Sequence, residues 1–324
     1  MSASPHIDEN LRQRRKLQNS LQTALLAGGS VGLLALCAYI IAGPEGVFWA
    51  ALGGSFSLYV ATHVSPQMVL GLYRARPLPA SVFPEGHHIL LVLARRAGLP
   101  SVPVLYYVPS KMMNAFAVGR PEEAVICVTD GLIRKLTARE FAGVLAHELS
   151  HIRNGDVRVM ALADIVARMT STMSFLGLFL FFFHMPSMLE GGGNVPWLLI
   201  LLLVAAPTVG TLLQLALSRT REFDADLDAV DLTGDPEGLA SALLKLERVQ
   251  GRMWEAMALP GARIPDPSIL RTHPATDERV RRIRALTRSV EPFDFDHAAP
   301  ISGKSFVPKI GNPRFRARGL GLWY

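Results

Sequence analysis

The stretch Thr137–Asp156, TAREFAGVLAHELSHIRNGD, carries two histidines four residues apart with a glutamate beside the first. Thr137 and Glu140 form a capping box: the threonine side chain bonds the backbone at a helix start while the glutamate reaches back. The helix that begins there runs through His151. Phe141, Leu145, Leu149 and Ile152 share one face and make its core stripe. His147 and His151 lie on a different face, one turn apart, so both imidazoles can reach one zinc ion. Glu148 stands next to them, where a general base for hydrolysis belongs.

A catalytic zinc needs a third protein ligand and an open position. Glu222, Asp224, Asp226 and His273 are the candidates downstream. Glu222 and Asp226 are four apart on one face of a predicted helix, so one can ligate while the other orients a ligand histidine. The alternative is that these acids form a solvated face behind a membrane segment.

The remainder of the chain is apolar. Half of the 324 residues are hydrophobic, 19% are charged, and the mean hydropathy is +0.27, high for a soluble protein. Four runs are long enough for a bilayer, which takes about 20 apolar residues: Leu17–Pro44, Gly46–Val64, Val159–Phe183 and Val195–Leu217. The basic start, Arg12 to Lys16, imitates a secretory signal. The apolar run is too long for one and a second follows at once, so it reads as a retained anchor. Asp164 and Arg168 interrupt the third run on one helix face. They read as a pair near the cytoplasmic interface or as the polar lining of a substrate path.

Lysines and arginines set the expected orientation. The connections Pro44–Gly46 and His184–Pro196 have none, whereas Ser65–Arg158 has eleven. The amino end and the residues after Leu217 are also basic. Both termini and Ser65–Arg158 are therefore expected in the cytoplasm. That bias accounts for the net charge of +6 and pI of 9.6 without nucleic acid, and no nucleic-acid motif is present. Cys37 and Cys127 form neither a CxxC pair nor a disulfide framework.

The chain divides at 1–64 (amino-terminal segment and two spans), 65–158 (first soluble part, with the HExxH helix), 159–217 (two further spans), 218–290 (second soluble part) and 291–324 (a basic Pro-, Gly- and Arg-rich extension). The soluble parts read as α+β. A helix is expected within Phe83–Pro100 and a strand over Val102–Val108. Two paired strands, NAFAVG (Asn114–Gly119) and AVICVTDG (Ala124–Gly131), flank a turn. A long amphipathic helix follows over Pro236–Met257 and a short basic one within His273–Leu286.

NAFAVG, GVLAHELSHIRNGD, SRTREFDAD and HPATDERV occur in this order, with two spans between the second and third. Together they resemble the HtpX-type membrane zinc metalloproteases, relatives of the CAAX prenyl proteases, over about Leu17 to Leu286. The resemblance implies a multi-pass α-helical membrane protein with four transmembrane helices and a zincin-like (gluzincin) α+β metallopeptidase domain. It implies one zinc ion per chain held by His147, His151 and Glu222, with Asp226 behind a ligand. It also implies Glu148 as general base, and His273 and Arg279 holding the oxyanion. Asn114, Ala115, Phe116 and Ala117 would line the substrate cleft, where an extended substrate adds a strand. The implied substrates are misfolded or damaged membrane polypeptides in quality control under stress, at the inner membrane if the source is bacterial.

The rival readings are selective processing of the CAAX type, a zinc-stabilised scaffold or sensor without activity, and, weaker, a transporter. Gly28 and Gly32 form GxxxG, a spacing that serves plain helix packing more often than a dimer face; a homo-oligomer stays open. The basic aromatic tail reads equally as a lipid-touching or a solvated extension.

Overall fold

The computed structural model describes residues 9–63, 66–189, 197–257 and 276–285; His273 and the extension 291–324 lie outside them. In chain order the elements are α1 (Glu9–Thr62), α2 (Pro66–Leu72), β1 (Arg76–Pro77), α3 (Pro84–Arg96), β2 (Val104–Val108), β3 (Ala115–Val118), β4 (Val125–Thr129), α4 (Asp130–Lys135), α5 (Ala138–Asn154), α6 (Asp156–Leu189), α7 (Trp197–Thr233), α8 (Pro236–Met257) and α9 (Thr276–Arg284). They form two compact units, one of residues 16–63 and 157–221, the other of 1–15, 64–156 and 222–324.

The first unit is helical and apolar. Among the described residues, three helices are long and apolar enough to cross a bilayer, over Ser20–Val60, Arg158–Phe183 and Ile200–Thr233. The four expected spans thus appear as three helical elements. The first two spans merge into α1, which is broken at Ala42 (φ −141°, ψ 22°) and Gly43 (φ 62°, ψ −150°). The break has a local cause. Pro44 supplies no N–H and crowds the preceding turn, and Gly43 takes the left-handed φ that a side chain resists. Within this unit Cys37, Leu203 and Ala206 are buried together. Asp164 and Arg168 form the expected pair, Nε to Oδ2 2.7 Å, and both are exposed. Gly28 and Gly32 have no atom within 4 Å of a Cβ position, whereas Gly29 faces Leu213 and Gly177 is pressed on Leu203. Among the described residues, close packing between helices of this unit therefore falls at Gly177, and at Gly210 against Thr170 Oγ1 (3.3 Å from a Cβ position), and not at the GxxxG pair.

The second unit is built on a four-stranded sheet in the order β1-β2-β4-β3. β2 and β4 are parallel, and β3 pairs antiparallel with β4, Ala115 opposite Val128 and Ala117 opposite Ile126. The expected strand pair around Arg120–Glu123 is therefore present, with β3 at the edge. One face of the sheet (Leu105, Tyr107, Ile126, Val128) joins the main core with Leu90 and Leu93 of α3, Phe141, Leu145 and Leu149 of α5, Leu239 of α8, and Val280 and Ile283 of α9. The other face (Val108, Val125, Cys127) is covered by Leu70 of α2.

Helix α5 is the hub of this unit. Its capping box forms as the sequence predicts: Glu140 N–H donates to Thr137 Oγ1 and Thr137 N–H to Glu140 Oε2, 2.8 Å. Glu140 also accepts from Ser241 Oγ at 2.5 Å and from Lys245 Nζ at 2.7 Å on α8. One carboxylate thus starts α5 and ties it to α8. Gly143 lets the two helices close: a Cβ there would stand 2.9 Å from Leu239 Cα. At the far end, Asp228 of α7 accepts from Arg153 (3.3 Å) and Asn154 (2.8 Å).

Burial opposes ionisation of Glu140, but Lys245, Ser241 and the Thr137 amide hold its carboxyl below the usual range. Its stabilising effect is therefore complete above the unfolded glutamate pKa, near 4.3, and is lost as pH falls through the lower folded value. Glu140→Ala is expected to cost about 2 kcal/mol at pH 7. Unfolding of the detergent-solubilised chain should show the gap to the parent narrowing below pH 4.3.

Candidate metal centre

The capped, anchored α5 fixes the direction of the two histidines. Their Nε2 atoms point at one another, 3.1 Å apart. Glu222, on α7, completes a triangle: Oε2 is 3.5 Å from His147 Nε2 and Oε1 is 3.8 Å from His151 Nε2. The three ligand atoms lie within 4.8 Å of one another. Among the three downstream candidates that lie in the described residues, Glu222 is the one that joins this cluster, and the helix carrying it runs from Trp197 to Thr233.

Both histidines are held from behind. His147 Nδ1 lies 3.1 Å from Asp226 Oδ1. His151 Nδ1 lies 2.6 Å from Asp156 Oδ2, and this second support is not legible in a helical pattern. Asp156 belongs to α6, and Gly155 between the helices takes φ 67°, ψ 28°. The chain turns back at that glycine, and so a residue five positions on returns to the histidine ring. An acid directly after a left-handed helix cap is the signal that could have found it.

The donor set fits zinc. With each Nδ1 beside a carboxylate, each ring in its neutral form presents the Nε2 lone pair, and two such nitrogens facing each other need a proton or a metal cation between them. Tetrahedral zinc with bonds of 2.0–2.1 Å would separate its ligand atoms by about 3.3 Å, close to the observed spacings. The electrostatics agree. Burial alone would depress the His147 pKa, yet Asp226 and Glu222 lift it to about 10: the pocket favours positive charge.

Arg279 of α9 is buried at 7% exposure. Its Nε and Nη2 donate to Asp226 at 2.7 and 2.6 Å, and its Nη1 lies 3.1 Å from Glu222 Oε2. The guanidinium therefore backs one expected ligand and the support of another. Burial disfavours the charged form of Asp226, but Arg279 and His147 hold its carboxyl below the usual range.

Glu148 is partly buried beside this cluster. Burial pushes its carboxyl above the usual range, opposed by His147 and His151, and the Ala117 backbone N–H donates to it. The strand explains that contact. Thr129 N–H donates to the Asn114 carbonyl, and so even-numbered residues of β3 turn their backbone toward β4 while Ala115 and Ala117 turn theirs to the outer edge. Asn114 is exposed, with its amide on Thr129 Oγ1 at 2.9 Å. The Phe116 ring goes the other way, to Tyr73 at 4.8 Å on the α2 side of the sheet. Of the four expected cleft residues, the structure brings Ala117 to the base and turns the Phe116 side chain from it. His273 lies outside the described residues.

Comparison with known proteins identifies the family. The sequence profile of peptidase family M48 matches residues 81–287. Protease HtpX of Legionella pneumophila (strain Philadelphia 1) is 36% identical over 281 residues, 83% of this chain and 99% of that protein. The protease HtpX homolog of Pyrococcus furiosus is 35% identical over 277 residues, 82% of this chain and 95% of that protein. The crystal structure of S. mikatae Ste24p aligns at a TM-score of 0.49 and 21% identity, covering 83% of this chain and 65% of that one. Since the M48 profile spans well over half of the sequence and relatives above 30% identity are covered almost end to end, this chain belongs to peptidase family M48.

Proposed function

We propose that this M48 membrane metallopeptidase uses one zinc ion to hydrolyse misfolded or damaged membrane polypeptides, with its active site facing the cytoplasm. The observation that carries the reading is the convergence of His147, His151 and Glu222 with Glu148 beside them. The orientation is supported by the eleven Lys and Arg of Ser65–Arg158 against none in the two opposite connections. The protease activity is supported by the names of the HtpX relatives.

His147, His151 and Glu222 would hold the ion, with Asp226 and Asp156 fixing the two rings. Zinc in this position supplies Lewis acidity, acidifying water and polarising the scissile carbonyl. Glu148 takes the proton from the attacking water and passes it to the leaving amine; a carboxyl raised above its usual range suits both transfers. The outer edge of β3, at Ala115 and Ala117, receives the substrate as an added strand, which reads backbone more than side chains and so selects broadly. His273 is assigned to the oxyanion. Arg279 acts through Asp226 and Glu222, because its three nitrogens face those carboxylates.

Glu148→Gln should retain zinc and lose cleavage of a membrane-protein substrate; equal cleavage by both forms would overturn the mechanism. Glu222→Gln should lower zinc occupancy, and Asp156→Ala should weaken zinc binding about 10–100-fold in a chelator competition. Arg279→Lys separates two roles. The holding role predicts weaker zinc binding, with cleavage restored at saturating zinc. A direct oxyanion role predicts unchanged zinc binding and a kcat lower by about 10²–10³-fold.

A further inference from the structure

Helix α2 is apolar on two opposite faces. Its sequence is PQMVLGL, with Gln67 the single polar side chain. Pro66 and Leu70, four apart, face inward, and Leu70 packs on Val108, Val125 and Cys127. Met68 and Leu72, also four apart, face outward at 75% and 47% exposure. A short helix with two opposite apolar faces calls for cover on both, and the sheet supplies one. The neighbouring surface continues the apolar character. Val104 lies on the α2 face of the sheet by strand alternation and is 53% exposed. The start of α2 meets that corner: Pro66 and Ala124 both approach Gly119, and Ala124 C=O accepts from Val104 N–H.

The chemistry around this face points to lipid. Between Glu45 and Glu85 there is no acidic residue, and Arg74 and Arg76 are the only Lys or Arg. Both are exposed and directly follow α2. Pro66 comes six residues after Val60, where the apolar stretch of α1 ends. Six residues span at most about 21 Å, and so the chain itself keeps α2 within reach of the headgroup layer. Exposed apolar side chains backed by arginines are the pattern of a segment lying in a membrane interface.

We infer that α2 is a membrane-contacting foot of the peptidase unit: Met68 and Leu72 enter the headgroup–acyl boundary of the same bilayer that α1 spans, and Arg74 and Arg76 meet anionic lipid phosphates. This surface is independent of zinc and of catalysis. Its effect is to fix how the unit carrying β3 and α5 faces the membrane.

The test uses the full chain in vesicles of phosphatidylcholine, alone or mixed equally with phosphatidylglycerol. A fluorophore is attached at Met68→Cys or Leu72→Cys, with Arg95→Cys, at an exposed position of α3, as the control. Cys37 and Cys127 are fully buried, and burial pushes the Cys127 thiol up to about 12, so neither competes for label. Labels at 68 and 72 should be quenched by spin-labelled lipid and shielded from aqueous iodide, with the reverse at 95. In the anionic vesicles, replacing both arginines by glutamine should weaken the lipid quenching, each being worth about five-fold in an interfacial equilibrium. Labels at 68 and 72 as open to iodide as that at 95 would overturn the inference. Labels shielded from both quenchers would also overturn it, showing that protein and not lipid covers this face.

Discussion

Two imidazole nitrogens held 3.1 Å apart are the constraint on which the peptidase unit is arranged. Nitrogens that face each other so closely need a positive centre, a proton or a metal ion, between them. Asp226 lies 3.1 Å behind one ring, and Asp156 holds the Nδ1 of the other. Glu222 closes the third side of the space that the two nitrogens face. Burying four carboxylates and two imidazoles in one pocket is costly unless opposite charge balances them, and Arg279 is the fixed part of that balance.

The surrounding architecture answers the same constraint. Helix α5 is pinned at its start by Thr137 and Glu140, along its length by the close contact at Gly143, and at its end by Asp228. Each device limits rotation of the helix about its axis, which would sweep both histidines off the site. Arg279 reaches Asp226 from α9, and so a helix late in the chain is locked to α7 through the metal site itself. The unit is thus closed by charge as much as by apolar packing, although the core that joins α3, α5, α8, α9 and the sheet is continuous. Edge strand β3 belongs to the same arrangement. Its outward Ala117 amide touches Glu148, so the segment that would receive substrate and the base that would act on it share one hydrogen bond.

Much of this was legible in the sequence because it is local. The HExxH spacing, the capping box and the stripe Phe141–Leu145–Leu149–Ile152 all lie within one helix, where a period of 3.6 residues converts sequence into geometry. The β3–β4 pair around Arg120–Glu123 was legible for the same reason. Other features depend on contacts that no periodicity encodes. Asp156 returns to His151 only because Gly155 reverses the chain. Arg279 contacts Asp226 and Glu222 across more than fifty residues, which no local pattern reports. Phe116 was expected in the cleft with its neighbours, but strand alternation sends its ring to Tyr73 on the other face. The first two expected spans meet at Ala42 and Gly43, where the backbone leaves helical φ and ψ.

By itself the sequence determined the class of chemistry. A histidine pair at helical spacing with an adjacent glutamate, in a chain with bilayer-length apolar runs, admits few other readings, while the choice of Glu222 among several acids came from the family resemblance. The tertiary structure decided which acids support which ring, what the buried arginine faces, and which edge of the sheet meets the base. Those are outcomes of packing between segments far apart in the chain, where the direction of a side chain is set by the neighbours that exclude water from it and not by its position in a repeat.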